Sequence, residues 1–69
     1  MELKDYRRAL EDYDKAIQLN PQYAAAYDGR GKAREALGDT SRSIKDFKVA
    51  AKLGLETAQN YLKAKGIAW

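Results

Sequence analysis

The run Gly29-Arg30-Gly31-Lys32 is the stretch whose residue types come nearest to a chemical motif, the glycine-rich loop that holds phosphate. Such a loop follows a strand and opens a helix, because free backbone N–H groups must point at the anion. Here no strand-like alternation precedes the run, and it lacks the spacing and the final Ser or Thr of a nucleotide loop. The run falls inside a predicted helix, where each N–H already has a carbonyl partner. We therefore predict no nucleotide site and no cofactor.

Catalytic and metal-binding side chains are scarce in this sequence. Its 69 residues include no His and no Cys. Zinc sites with nitrogen or sulfur ligands and His-based acid–base catalysis are therefore excluded. The carboxylates are scattered over the outer faces of the predicted helices, without a nucleophile–base pair. We predict no enzyme, no catalytic residues and no metal ligands.

A basic stripe is the clearest charge pattern in a chain of net charge +3. Its members are spaced three, three and four residues apart and so share one helix face: Arg42, Lys45, Lys48 and Lys52. The stripe is suited to phosphates or an acidic partner, but four charges bind nucleic acid weakly. Without interleaved aromatic residues to stack on bases, nucleic acid is disfavoured and an ordinary solvated face is favoured. The role of the stripe stays open.

Membrane and targeting segments are not indicated by the sequence. No apolar run approaches the roughly 18 residues that a membrane span needs, and the charged N-terminus lacks the apolar core of a secretory signal. We predict no membrane partner. The absence of Cys suits a reducing compartment, which favours the cytoplasm without establishing it.

The spacing of apolar residues predicts an all-α chain of four helices with short connections and antiparallel neighbours. Pro21 ends the first helix, because proline disfavours helical geometry in the residue before it. Gly38 is expected to cap the second helix, and Asp39 or Thr40 to begin the third. The predicted helices cover residues 1–20, 22–37, 40–53 and 56–65. Their inward residues include Ile44, Phe47, Ala50, Ala51 and Leu53 on the third helix, and Ala58, Tyr61 and Leu62 on the fourth.

An internal repeat appears when the sequence is shifted against itself by 34 residues. The aligned positions are mostly small or apolar, as expected when a packing scheme is copied and the surface is free to change. The identical pairs are Asp5 and Asp39, Asp12 and Asp46, Ala16 and Ala50, Leu19 and Leu53, Ala24 and Ala58, and Tyr27 and Tyr61. Leu10 with Ile44, Tyr13 with Phe47 and Ala9 with Ser43 are similar pairs.

A helix–turn–helix period of 34 residues resembles the tetratricopeptide repeat. The residues that carry the resemblance are Ala9, Tyr13, Ala16, Pro21, Tyr27, Gly31, Ser43, Phe47 and Ala50. The resemblance implies one domain over 1–69, a fragment of an α-solenoid. Residues 1–20 would be the second helix of a partial repeat, 22–54 a complete repeat, 55–66 a capping helix and 67–69 a tail. Three residues depart from the family pattern. Arg30 and Arg34 are expected to pack their stems with the charge at the surface, and Leu55 replaces a proline.

The resemblance also gives the two glycines different roles. Gly31 falls at the small position where the first helix of a repeat lies closest to the second, so it should face Ser43 or Phe47. Gly29 falls at an inner-groove position, where it has no packing reason and makes that part of the groove shallower.

The function implied by the resemblance is recognition of a peptide or of a partner's helix on a concave helical surface. Its predicted partner-binding residues are Gln22, Ala25, Asp28, Gly29, Lys32, Glu35, Gln59, Leu62 and Lys63. A clamp for a C-terminal carboxylate is disfavoured, because only Lys32 suits it and Asp28 and Glu35 would repel an acidic peptide. The alternative is that these residues form an ordinary solvated face of mixed charge that binds no partner.

An apolar stripe on the first helix gives the alternative function, homo-oligomerisation. Its members are Leu3, Tyr6, Leu10, Tyr13 and Ile17. The helix resembles the second half of a hairpin whose first half is absent, so the stripe is expected to be only partly covered. Either the chain is part of a longer array, or a second copy covers the stripe by a two-fold pairing. The sequence does not identify the partner, the oligomeric state, or whether the chain is natural or designed.

Overall fold

The described residues form four α-helices in a computed structural model that covers residues 3–69, with side chains from Asp5 onward. The helices are α1 (Leu3–Leu19), α2 (Ala24–Ala36), α3 (Thr40–Lys52) and α4 (Glu56–Ala64). This confirms the all-α prediction. The predicted second helix began two residues too early, because the chain makes a turn at residues 21–22 before α2 begins.

Local sequence sets the junction between α2 and α3. Gly38 has a positive φ of 85°, which a glycine adopts without the steric cost of a Cβ atom. The turn is closed by the Asp39 N–H, which donates to the Arg34 carbonyl over 2.8 Å. The Asp39 carboxylate then accepts from the Arg42 N–H at 3.2 Å, so Asp39 is the residue that caps α3.

The core lies where α3 meets its two neighbours. Its buried residues are Phe47, Ala50, Ala51, Ala58 and Leu62. The Phe47 and Tyr61 rings pack in a tilted contact with their centroids 4.3 Å apart, slightly closer than the roughly 4.5–7 Å common for aromatic pairs. The alanines let the helices approach closely, so a small chain can bury an aromatic ring completely.

Leu53 does not belong to this core, and the prediction of an inward role for it was wrong. It is 38% exposed. The reason is that α3 ends at Lys52 and the chain reverses at Gly54. Leu53 therefore caps the helix instead of extending its buried face.

The helices pack in chain order, α1 on α2, α2 on α3 and α3 on α4. Within residues 3–69, every helix is too short or too polar to cross a lipid bilayer. The same part of the chain brings together no group of three acidic, His or Cys side chains suited to hold a metal ion.

Candidate functional site

Two arginines of α2 converge on one buried carboxylate of α3. Arg30 donates to Asp46 through Nη2 at 2.8 Å and through Nε at 3.1 Å. Arg34 donates to the same carboxylate through Nη1 at 2.8 Å. The Asp46 side chain is only 4% exposed, and it is fully compensated by charge-assisted hydrogen bonds. Hydrogen bonding to Asp46 is the largest cause that raises the pKa of Arg30; burial opposes it, and the hydrogen bond to Asp14 adds to it.

This ion cluster corrects the expectation that Arg30 and Arg34 keep their charges at the surface. Their side chains are 18% and 20% exposed. Arg30 also reaches α1, where Nη1 lies 2.9 Å from Asp14 Oδ1. One sequence signal could have revealed the cluster. Asp46 lies between Ser43, Phe47 and Ala50 on the inward face of α3, and a carboxylate within an apolar stripe needs a cationic partner.

An open cleft runs between α1 and α2, and we call it the α1–α2 cleft. It consists of two hollows of about 170 Å³ and 390 Å³ that share Tyr13. Its walls are mostly alanine and tyrosine, with few charged groups. The lining residues are Tyr6, Ala9, Asp12, Tyr13 and Ala16 on α1, Ala25, Ala26, Gly29, Lys32 and Ala33 on α2, and Tyr23 just before α2.

Gly29 has a packing reason that the sequence did not reveal. The Tyr13 ring crosses it so closely that a Cβ atom at Gly29 would lie 2.6 Å from both Tyr13 Cε1 and Tyr13 Oη. Gly29 is therefore half-buried beneath a tyrosine, which corrects the expectation of a bare patch. At Gly31, a Cβ atom would lie 3.1 Å from both the Phe47 ring and the Ser43 carbonyl oxygen. These are the two residues that the repeat register placed opposite Gly31.

The predicted partner-binding residues differ widely in accessibility. Those that are exposed are Gln22, Ala25, Lys32, Glu35 and Lys63. Asp28 is buried and forms an ion pair with Lys32 at 3.2 Å. Gln59 is half-buried and donates to the Ala51 carbonyl at 2.9 Å. Leu62 is 0% exposed, so its assignment to the binding surface was wrong. As a core residue between α3 and α4, it is inaccessible to a partner.

One hydrogen bond joins the two helices expected to line the concave surface. The Tyr61 hydroxyl of α4 donates to the Glu35 carboxylate of α2. Burial of the phenol, followed by the hydrogen bond and the negative charge of Glu35, raises the pKa of Tyr61 to about 12. The hydroxyl therefore stays protonated at neutral pH and holds Glu35 against α4.

The apolar stripe predicted on α1 is partly covered and partly exposed to solvent. Tyr6, Leu10, Tyr13 and Ile17 are all half-buried. Leu3 begins α1, but its side chain lies outside the described residues. The basic stripe on α3 faces outward except for Lys48, which is half-buried.

The comparisons with known proteins agree with this architecture. A family model described as a TPR repeat matches residues 1–38. Hsc70-interacting protein 1 of Drosophila melanogaster is 38% identical over 64 residues, 91% of this chain and 17% of that protein. Small glutamine-rich tetratricopeptide repeat-containing protein 2 of Mycosarcoma maydis is 36% identical over 61 residues, 88% of this chain and 17% of that protein. Tetratricopeptide repeat protein 36 of Homo sapiens is 38% identical over 52 residues, 75% of this chain and 28% of that protein. The chain thus spans well under a third of the length of these relatives. No solved structure matches it.

Proposed function

Since this chain belongs to the tetratricopeptide repeat family, we propose that its role as a protein-interaction module is to bind a helix or peptide of a partner protein. The binding surface is the concave side of α2 together with the adjoining α1–α2 cleft. One observation carries the proposal. Ala25, Gly29 and Lys32, all expected in the binding surface, line the open cleft. A mostly apolar cleft with a few charged groups is the usual form of a recognition site.

The charges around the cleft indicate what kind of partner group is bound. Lys32 forms an ion pair with Asp28, four residues before it on the same helix. Its charge is therefore partly satisfied within the chain, and a partner's carboxylate would have to compete with Asp28. We expect recognition through side chains of the partner, and not through its terminal carboxylate.

Hsc70 is a reasonable first partner to test. Two Drosophila relatives, each covering 91% of this chain, are named Hsc70-interacting proteins. This chain covers 17% of the length of each. Hsc70 is thus one candidate partner within the wider class of proteins that present a helix or peptide.

The direct test is selection of binding peptides from a displayed library against the full chain. Ala25 is exposed and lines the cleft, so Ala25→Arg should fill the cleft without disturbing the core. The matched control is Ala36→Arg, an exposed position on the same helix that does not line the cleft. We expect the selected peptides to lose at least roughly tenfold in affinity for the Ala25 variant. Equal binding to both variants would exclude the cleft as the binding site.

Self-association through α1 is the second candidate function. The observation that favours it is the row of half-buried residues Tyr6, Leu10, Tyr13 and Ile17, since a partly covered apolar face is often an interface. Sedimentation over a wide range of protein concentrations distinguishes the two. A mass that stays monomeric at every concentration argues against self-association and leaves partner binding as the remaining function.

A further inference from the structure

The two halves of the repeat place equivalent residues in very different surroundings. Shifting by 34 residues maps Ala9, Asp12 and Tyr13 of α1 onto Ser43, Asp46 and Phe47 of α3. The three residues on α3 are buried, because α2 packs over them. The three residues on α1 line the α1–α2 cleft. The cleft is thus the repeat equivalent of the surface that α2 covers on α3.

The way in which α2 covers α3 defines what fits such a surface. Gly31 permits close approach, with its Cβ position 3.1 Å from the Phe47 ring and the Ser43 carbonyl oxygen. Arg30, just before it, and Arg34, three residues after it, both donate to Asp46. The complementary pattern is therefore arginine, a small residue, any two residues, and a second arginine.

Asp12 is the equivalent of Asp46 in the open cleft, and its carboxylate is available. It is exposed at the edge of the larger hollow. Among the side chains described from Asp5 to Trp69, no basic group lies within ion-pair distance of it. A helix seated over Ala9 and Tyr13 would bring its own arginines to this carboxylate.

We propose that the α1–α2 cleft binds an amphipathic helix of a partner protein that carries the pattern Arg-small-x-x-Arg. The small residue lies against Ala9 and Tyr13, and both arginines donate to Asp12. This inference rests on the proposed function and specifies the partner's chemistry. The pattern does not extend to the glutamate one residue after the second arginine. Glu35 accepts from Tyr61, but the equivalent Tyr27 hydroxyl already donates to the Pro21 carbonyl at 3.0 Å.

A second copy of this chain does not supply such a helix. The pattern occurs once in the sequence, at Arg30 to Arg34, and both of those arginines are already bound to Asp46. The repeat equivalent of Gly31 is Lys65, whose long side chain would keep the helices apart. Lys65 also lies just beyond the last residue of α4. None of the helices in these 69 residues therefore offers this pattern to the cleft of a second copy.

The test uses a lactam-bridged helical peptide with a central Arg-Gly-Ala-Ala-Arg segment and the full chain in solution. Binding is measured by fluorescence anisotropy, and the site is located from amide chemical shifts. Asp12→Asn removes the proposed partner charge. Glu11→Gln, at an exposed position that does not line the cleft, is the control of equal charge change. A second peptide replaces both arginines with glutamine, and a third replaces the glycine with leucine.

We expect saturable binding that shifts the amides of Ala9, Tyr13 and Gly29. Asp12→Asn should weaken it roughly tenfold, as for loss of a charge-assisted hydrogen bond, while Glu11→Gln changes it by less than about twofold. The glutamine peptide should bind both proteins equally, and the leucine peptide should not bind.

Several results would overturn the inference. These are a lack of saturable binding, equal losses in the two protein variants, or shifts centred on Phe47 that show displacement of α2. Concentration-dependent shifts of the cleft amides without peptide would show that a second copy covers the cleft. If library-selected peptides bind in an Ala25-dependent way but without this arginine pattern, the inference fails and the proposed function stands.

Discussion

The first and third helices have almost the same inward pattern, yet only the third is enclosed. Phe47 is 1% exposed, whereas its repeat equivalent Tyr13 is half-buried. Ala50 is buried and its equivalent Ala16 is half-buried. The difference arises because α3 has a helix on each side, α2 and α4, whereas α1 packs mainly on α2. Burial of a repeat position is therefore determined by its neighbours as much as by its own residue type.

A polar position shows the same contrast more sharply. Asp46 is buried between two arginines, and its equivalent Asp12 is exposed at the edge of the α1–α2 cleft. The carboxylate at this repeat position is structural in one half of the repeat and available for binding in the other.

The largest effect is expected at Gly31, the contact point between α2 and α3. Gly31→Leu should lower the free energy of unfolding by about 3 kcal/mol, because the side chain must displace a buried ring and backbone. Urea denaturation followed by circular dichroism measures this loss. Ala36→Leu, at an exposed site on the same helix, should change it by less than about 0.5 kcal/mol. A Gly31 variant as stable as the control would mean that the two helices are not in close contact.

Removal of the buried carboxylate should have the next largest effect. Asp46→Ala leaves Arg34 without its ion-pair partner and Arg30 with only Asp14, so we expect a loss of about 2 kcal/mol in unfolding free energy from the lost charge-assisted hydrogen bonds. Asp12→Ala should cost less than about 0.5 kcal/mol, because its carboxylate is exposed. Thermal and urea unfolding of both variants would provide the comparison. Equal losses would show that the two aspartates are equivalent after all.

The helix cap at Asp39 is expected to contribute less to the unfolding free energy than the Asp46 carboxylate. Asp39→Ala removes the acceptor for the Arg42 N–H and should lower the unfolding free energy by about 1 kcal/mol. Its repeat equivalent, Asp5, lies within the first turn of α1, where a negative charge stabilises a helix by only about 0.3 kcal/mol. Asp39→Ser should retain most of the stability, since serine also caps. Failure of that rescue would assign the loss to something other than capping.

The smallest effect at neutral pH concerns Tyr61. Its pKa of about 12 in the folded chain exceeds the ordinary value of 10.0, so the folded state holds the phenol proton more tightly than the unfolded state. The associated stability is complete below pH 10 and is lost as the pH rises from 10 towards 12. Titration of the Tyr61 ring resonances by NMR measures the pKa directly.

A single substitution separates the causes of this shift. Glu35→Gln removes the negative charge and the charged acceptor, so the pKa of Tyr61 should fall while staying above 10.0, because burial is the largest cause. Stability measured at pH 7 should hardly change. A pKa that does not move in this variant would mean that the Glu35 contact is not formed in solution.

The backbone was largely predictable from sequence, because local signals define it. Apolar spacing predicted four helices, with Gly38 ending the second and Asp39 or Thr40 beginning the third. The predicted bounds of the helices differ from the observed ones only at the helix ends. The positions that failed depend on contacts between helices. Leu62 was assigned to a surface from its place in the repeat, although the core encloses it. The Tyr13 ring over Gly29 depends on how α1 lies across α2, which the sequence of either helix alone does not define.

The ion cluster has a consequence for how unfolding would spread along the chain. In a stack whose helices contact mainly their sequence neighbours, each interface opens almost independently. Arg30 is an exception, because this one α2 side chain bonds Asp14 of α1 and Asp46 of α3 at once. Fraying of α1 therefore withdraws a partner from the same guanidinium that holds α3. Arg30 therefore couples α1 to α3, although the two helices are not sequence neighbours. An interaction that stabilises α1 also stabilises the position of α3 through this guanidinium.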